Sequence, residues 1–235
     1  MPIHLQTPPN KQSPLVLCPG DPDRATLVAT ELLEGAECVT RTRALLGFTG
    51  RYKGVEVTIQ TTGMGGGSTG IVVHELIELG ATTLIRAGTA GGLQTDLEAG
   101  SLIVADQAVA DDGAGLAMSG GVAPPPDPAV IAALTAAGQA SNRTVHHGTI
   151  VSTDVFYDLE PGRNEAWQAR GILAVEMEAA VMFSLAARHG VRAGCVVTIS
   201  NQLVGAEPGW LSSEEREIAG IETCRVALDA LVRLS

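Results

Sequence analysis

Two periodicities alternate along this chain. Short apolar runs bounded by turn residues predict strands, and stretches with apolar positions three and four apart predict helices. PLVLCPG at 14–20 reads as a strand closed by Pro19-Gly20, and DPDRATLVATELL places Leu27, Val28, Leu32 and Leu33 on one helical face. GFTGRYKGVEVTIQTTG alternates apolar and polar residues around Tyr52-Lys53-Gly54, the pattern of a hairpin. Gly63 to Gly70, GMGGGSTG, opens the helix IVVHELIELG, which Gly80 ends at C′. TTLIRAGTAGG reads as a buried strand running into a glycine turn, and SLIVADQAVADDG as a further strand. The proline-rich GVAPPPDP at 121–128 is a surface loop leading into the helix AVIAALTAAGQA. TVHHGTIVSTDVF predicts a strand, Glu165 to Arg170 a short helix, GILAVE a strand, MEAAVMFSLAARHG a helix ended by Gly190, and RAGCVVTISNQL the last strand. Ser212 and Glu215 form a capping box for a final helix with Ile218, Ile221, Val226, Leu228 and Leu231 on its buried side.

This order predicts one α/β domain over residues 1–235, a mostly parallel twisted central sheet covered by helices on both faces. Ligands of such sheets bind outside the carboxyl ends of the strands. The expected site therefore draws on Gly20 to Arg24, Gly63 to Ser68, Arg86 to Thr89, Phe156, Glu176 to Glu178, and Ser200-Asn201.

Composition narrows the function. Hydrophobic residues make up 45% of the chain and aromatic residues only 3%, so the core is built from Ala, Val, Leu and Ile. Fifteen basic against 26 acidic residues leave a formal charge of −11, which argues against nucleic acid as partner. An anionic substrate would need a local cluster of arginines working against that field. Cys18, Cys38, Cys195 and Cys224 lack metal-type spacing, and three of them sit in apolar runs as small buried hydrophobes. The N-terminus has no basic region followed by an apolar one, and no apolar run is long enough to span a membrane. A cytoplasmic protein with reduced thiols is expected, with no membrane partner.

AVEMEAA at 174–180 puts two carboxylates inside an apolar run, where desolvating an unpaired charge costs several kcal/mol or more. Either the chain surfaces between a strand and a helix, or the pair lines a pocket. Arg24, Arg43 and Arg86 raise the matching question. Arg86 emerges from a strand that should be buried, so it needs an anionic partner, a structural carboxylate or a ligand oxygen. GMGGGSTG is a weak dinucleotide fingerprint, because no acidic residue closes a following strand about 20 residues on. Tight packing of helix on strand is the preferred reading of its glycines. His74, His146, His147 and His189 have no metal-ligand spacing and read as structural, and from composition alone His4 reads as an exposed residue of an N-terminal arm.

GDPDRA at 20–25, RALLGFTGRYKG at 43–54, the TTGMG turn, IRAGTAGGL at 85–93, STDVFY at 152–157 and VEMEAA at 175–180 resemble the nucleoside phosphorylase family. This is the group of hexameric bacterial purine nucleoside phosphorylases and uridine phosphorylases, and the resemblance runs in order over essentially the whole chain. It implies phosphorolysis of a nucleoside to free base and ribose 1-phosphate, with inorganic phosphate as co-substrate and no cofactor or metal. By resemblance Gly20, Arg24, Arg86 and Thr89 form the phosphate site, joined by Arg43 of a neighbouring subunit. Thr89, Met177, Glu178 and the neighbour's His4 hold the ribose. Phe156, Glu160, Arg163, Glu176 and Asn201 face the base. Arg86, Glu178 and Asn201 are the residues expected to carry catalysis. The shared site implies a homo-oligomer, a hexamer built as a trimer of dimers.

Two departures bear on the substrate. Purine enzymes of the group have an aspartate after the serine of the last strand, where this chain has Asn201, as uridine phosphorylases do. Asparagine donates a hydrogen bond but no proton, which favours uridine, with a purine nucleoside as the alternative. Ala44 stands where uridine enzymes often carry a monovalent-cation glutamate. Hydrolysis on the same fold, nucleoside binding without catalysis, and a dinucleotide-dependent oxidoreductase are the competing readings.

Overall fold

The computed structural model describes residues 2–157, 160–205 and 209–235. In chain order its elements are β1 (Leu15–Cys18), α1 (Pro22–Leu32), β2 (Glu34–Thr40), a 3-10 turn (Thr42–Ala44), β3 (Gly47–Tyr52) and β4 (Val55–Gln60). There follow α2 (Gly66–Glu78), β5 (Thr83–Gly92), β6 (Leu102–Asp111), α3 (Gly113–Ser119), α4 (Pro128–Ala140) and β7 (Val145–Thr153). The last are α5 (Arg163–Ala169), β8 (Ala174–Glu176), α6 (Ala179–His189), β9 (Arg192–Gln202) and α7 (Ser213–Arg233).

Side-chain alternation along the central strands sorts the core into two layers. Leu84 and Val197 face one cluster with Val72, Leu76 and Phe183, beneath α2 and α6. Their neighbours Ile85 and Val196 face the other with Val28, Leu134 and Leu228, beneath α1, α4 and α7. Helices cover both faces, as the alternation of elements predicts. The sheet is mixed, in the order β2-β3-β4-β1-β5-β8-β7-β6-β9, and β5 also pairs with β9. The strands β5, β9, β6, β7 and β8 therefore close into a ring, with β8 antiparallel to β5 and β9 antiparallel to β6.

Local signals account for most boundaries. Gly80 at φ 102° follows α2, with Gly80 N–H bonded to Ile77 O and Ala81 N–H to Leu76 O, the two bonds of a Schellman motif. The capping box is formed: Glu215 N–H donates to Ser212 Oγ at 3.2 Å and Ser212 N–H to Glu215 Oε2 at 2.8 Å.

Three expectations are corrected, and two elements have no counterpart in the sequence pattern. The glycines after Arg86 are not a turn, because β5 runs straight through them to Gly92. A side chain at Gly91 would run into Leu203, and one at Gly92 into Gln202, so glycine here serves close packing within the ring. The edge strand β2 and the short helix α3 were not predicted: the exposed sequence Glu34 to Glu37 has no alternation, and α3 is only seven residues long. The short helix α5 starts at Arg163, two residues before the predicted Glu165. Ile218 is exposed rather than on the buried side of α7, whereas Val226, Leu228 and Leu231 are buried.

Candidate active site

The antiparallel register of β8, Val175 opposite Gly91, leads Glu176 to Glu178 back along β5 toward Arg86. There the three charges meet. Arg86 Nε donates to Glu176 Oε2 at 2.7 Å, and its Nη2 pairs with Glu178 Oε2. All three residues are at most 4% exposed. The guanidinium folds over Gly88, where a Cβ would stand 3.0 Å from Nη2. Burial works against the charge, but Glu178 and Glu176 outweigh it and hold Arg86 firmly cationic.

The two glutamates are not equivalent. Glu176 is committed to the protein: it accepts from Arg86, from Ser152 Oγ, from Glu178 N–H at 2.9 Å and from Ala179 N–H at 3.0 Å. It anchors the start of α6 and fixes Arg86, with both of its oxygens engaged within the protein. Glu178 has fewer ties, accepting from Gly65 N–H at 2.6 Å beside its pair with Arg86. Gly65, at φ 85°, is the N-cap of α2. Two carboxylates on one guanidinium leave a buried excess of one negative charge. Burial pushes the Glu178 carboxyl above its ordinary value and Glu176 adds to the rise, with Arg86 opposing. The glycines of GMGGGSTG serve close packing, but against other helices and not the strand expected: Gly66 meets Asp112, the N-cap of α3, and Val181 of α6, and Gly70 meets Val181.

Beyond Thr89 opens a cavity of about 260 Å³ lined by Arg24, Thr89, Arg216, Asp21, Ser213 and Glu217, among others. Arg24 lies in the first turn of α1, which Asp21 caps, and Arg216 in the first turn of α7. Two helix N-termini and two guanidiniums thus converge on one cavity, beside a strand hydroxyl. The carboxylates of Asp21, Asp23 and Glu217 share the lining with the two guanidiniums, so the cavity carries both signs of charge. Arg216 was not among the residues picked out from the sequence. The available signal was its charge, basic within the first turn of a helix that its own capping box had placed.

Asn201 and Ser200 end β9 beside Gly91 of β5. Asn201 is 5% exposed, and Ser200 Oγ donates to its Oδ1 at 2.9 Å, so its amide Nδ2 is the half left to donate. Gly20 follows β1, with Gly63 O 3.2 Å from where its Cβ would lie. Met177 is half-buried between the two glutamates.

The other predicted residues lie apart from this cluster. Arg43 is exposed on the 3-10 turn, with Arg43 at φ 56° and Ala44 at φ 60°, consecutive left-handed residues that each cost about 1–2 kcal/mol. Such strain is commonly kept at functional positions. His4 is not a loose exposed residue, because its ring and backbone dock on Glu75 of α2. Phe156 is 64% exposed, its ring edge-on to Tyr157 with centroids 5.0 Å apart. Arg163 heads α5 with Nη1 3.8 Å from Asp111, and Glu160 is exposed before it. The loop between Phe156 and Arg163 includes Asp158 and Leu159, which lie outside the described residues.

Residues 14–233 match the phosphorylase superfamily. A purine nucleoside phosphorylase DeoD-type from Jannaschia sp. (strain CCS1) is 40% identical over 233 residues, 98% of this chain and 99% of that protein. One from Roseobacter denitrificans is 41% identical over 233 residues with the same coverage, and one from Geobacillus kaustophilus 38% over 236 residues, 99% of each chain. The chain belongs to the phosphorylase superfamily, as a nucleoside phosphorylase.

Proposed function

We propose that the chain catalyses the reversible phosphorolysis of purine nucleosides. The observation that carries the reaction is the placement of Arg24 and Arg216 on one cavity between the starts of α1 and α7, together with the buried pair of Arg86 and the ribose candidate Glu178, in a chain of net charge −11. Phosphate held by Arg24, Thr89 and the amide of Gly20, with Arg86 alongside, lies beneath the sugar. Its oxygen attacks C1′ as the bond to the base nitrogen breaks. The electron pair leaves with the base, which is then protonated, and ribose 1-phosphate remains. No protein nucleophile is needed, so catalysis is positioning plus electrostatics. Glu178 accepts from the 2′- and 3′-hydroxyls, and the excess negative charge of the buried cluster favours the cationic sugar of the transition state.

The base is where the sequence lean toward uridine gives way. The relatives named above are purine enzymes that match the chain from end to end, and they support a purine in spite of Asn201. Asn201 then acts as a neutral donor through Nδ2. N7 and O6 of a 6-oxopurine both accept, whereas the exocyclic amine of adenine donates, so inosine and guanosine are the substrates best matched. Phe156 packs on the base, with Met177 against the sugar. Glu176 holds Arg86 in place, and Glu160 and Arg163 edge the base side.

The site is completed by a second copy. Arg43 and His4 stand outside the Arg86 cluster, and apolar surface is exposed at Ile3 beside His4 and at Met64 and Ile71, before and within the α2 helix that holds His4, at 75%, 81% and 44%. A homo-oligomer, a hexamer of three dimers, brings the partner's Arg43 to phosphate and the partner's His4 to the 5′-hydroxyl.

Inosine, adenosine and uridine assayed with and without phosphate test the reading. Ribose 1-phosphate is expected only with phosphate, with inosine cleaved at least about tenfold faster than uridine, roughly 1.4 kcal/mol in the barrier. Faster cleavage of uridine overturns the purine assignment, and equal cleavage without phosphate makes the protein a hydrolase.

A further inference from the structure

Helix α2 carries a carboxylate that none of these roles uses. Glu75 is 6% exposed, and its oxygens are occupied by the N-terminal arm. Oε1 accepts from the backbone N–H of Ile3 and of His4, both at 3.0 Å, and faces His4 Nδ1 at 2.8 Å. Oε2 accepts from His4 N–H at 2.9 Å and Leu5 N–H at 2.6 Å. Leu5 is buried in the same core cluster as Val72 and Leu76 of α2, so the arm is anchored on both sides of the histidine.

Burial alone would raise the Glu75 carboxyl, but the backbone donor of Leu5, the His4 ring and the backbone donors of His4 and Ile3 hold it at about 2. It is therefore an acceptor and nothing else at any working pH. An acceptor against Nδ1 requires a proton there. In the neutral ring Nε2 then carries the lone pair, and no described residue takes it.

We infer that Glu75 is a positioning residue for the 5′ end of the nucleoside, presenting His4 of one subunit to its neighbour's sugar as an acceptor. This rests on the reading of His4 as the residue meeting the 5′-hydroxyl. The carboxylate does two things: it fixes the backbone on either side of the ring, and it selects the tautomer. An Nε2 lone pair calls for a group that donates. The subsite therefore takes a 5′-hydroxyl and disfavours a 5′-deoxy or 5′-thioether nucleoside, which has no proton to give and leaves the acceptor unmatched.

The test compares inosine with 5′-deoxyinosine on the wild type, Glu75→Ala, His4→Ala and the double variant, all as the assembled protein. The alanine removes the acceptor that holds both the arm and the Nδ1 proton, so the ring is no longer presented. The wild type is expected to favour inosine about tenfold in kcat/KM, the scale of one unmatched hydrogen bond, and mainly through KM. Glu75→Ala should bring that ratio toward the His4→Ala value and should add nothing in the His4→Ala background. A Glu75→Ala protein that keeps the wild-type ratio while His4→Ala loses it overturns the role of Glu75 alone. If His4→Ala also keeps the ratio, His4 does not meet the 5′-hydroxyl and both readings fall. Equal losses on the two nucleosides mark a purely structural clamp and also overturn the inference. The ¹⁵N shifts of His4 in the wild type decide independently of activity and of how the variants fold: an Nδ1–H ring is expected, and an Nε2–H ring refutes the proposal.

Discussion

Arg86 explains why two glutamates stand inside an apolar run. A buried cation with one carboxylate on Nε and another on Nη2 answers the question that AVEMEAA raises, although composition could not say which carboxylate is structural. The distinction rests on Ser152, twenty-four residues upstream, and on the backbone at the start of α6, which together fill the oxygens of Glu176. Removing one partner of a buried pair leaves an uncompensated charge. Glu176→Ala should therefore destabilise the fold by about 3–5 kcal/mol in urea unfolding, whereas Arg43→Ala, on an exposed turn, should stay within about 0.5 kcal/mol. Glu178 makes a different prediction. Burial and Glu176 raise its carboxyl above the ordinary 4.5, and the proposed ribose contact calls for the ionised form. The acid limb of kcat/KM for inosine should lie above that value, and Glu178→Gln should abolish the limb along with most of the activity. Asn201→Asp adds a carboxyl that can give a proton to N7, so adenosine phosphorolysis should rise, by about tenfold in kcat/KM at slightly acid pH.

Secondary structure was legible wherever a period and a cap agreed. α2 with Gly80, α6 with Gly190 and α7 with its capping box follow from residues within a turn of each boundary. What sequence order could not supply was closure. The pairing of β5 with both β8 and β9 is made between residues about a hundred positions apart, and only then do the glycines of β5 acquire their reason. The cavity was half legible for the same cause: Arg24 stands in a motif, whereas Arg216 comes from a helix that reaches the site by tertiary packing. The docked arm carries its own prediction. Glu75 is depressed from 4.5 to about 2, so its contribution is complete above the ordinary value and is lost as pH falls through the depressed one. Amide-exchange protection of His4 and Leu5 should hold at pH 5 and above and vanish as pH approaches about 2.

The proposed assembly is where the remaining predicted site residues would find their work. Mixing Arg43→Ala subunits with Glu178→Ala subunits should restore part of the activity after exchange, since each intact half-site comes from a different parent. Hybrids without recovery, or a fully active monomer on sizing, argue against a shared pocket. The closed ring constrains how such an assembly forms. β5, β9, β6, β7 and β8 satisfy one another, and β1, β3 and β4 each have neighbours on both sides, which leaves β2 with one neighbour. That strand is broken by register shifts and carries exposed Glu34 and Glu37, features that make a poor template for another strand. Sheet extension between copies of this chain is therefore disfavoured, and the proposed oligomer would join through helix faces and loops instead.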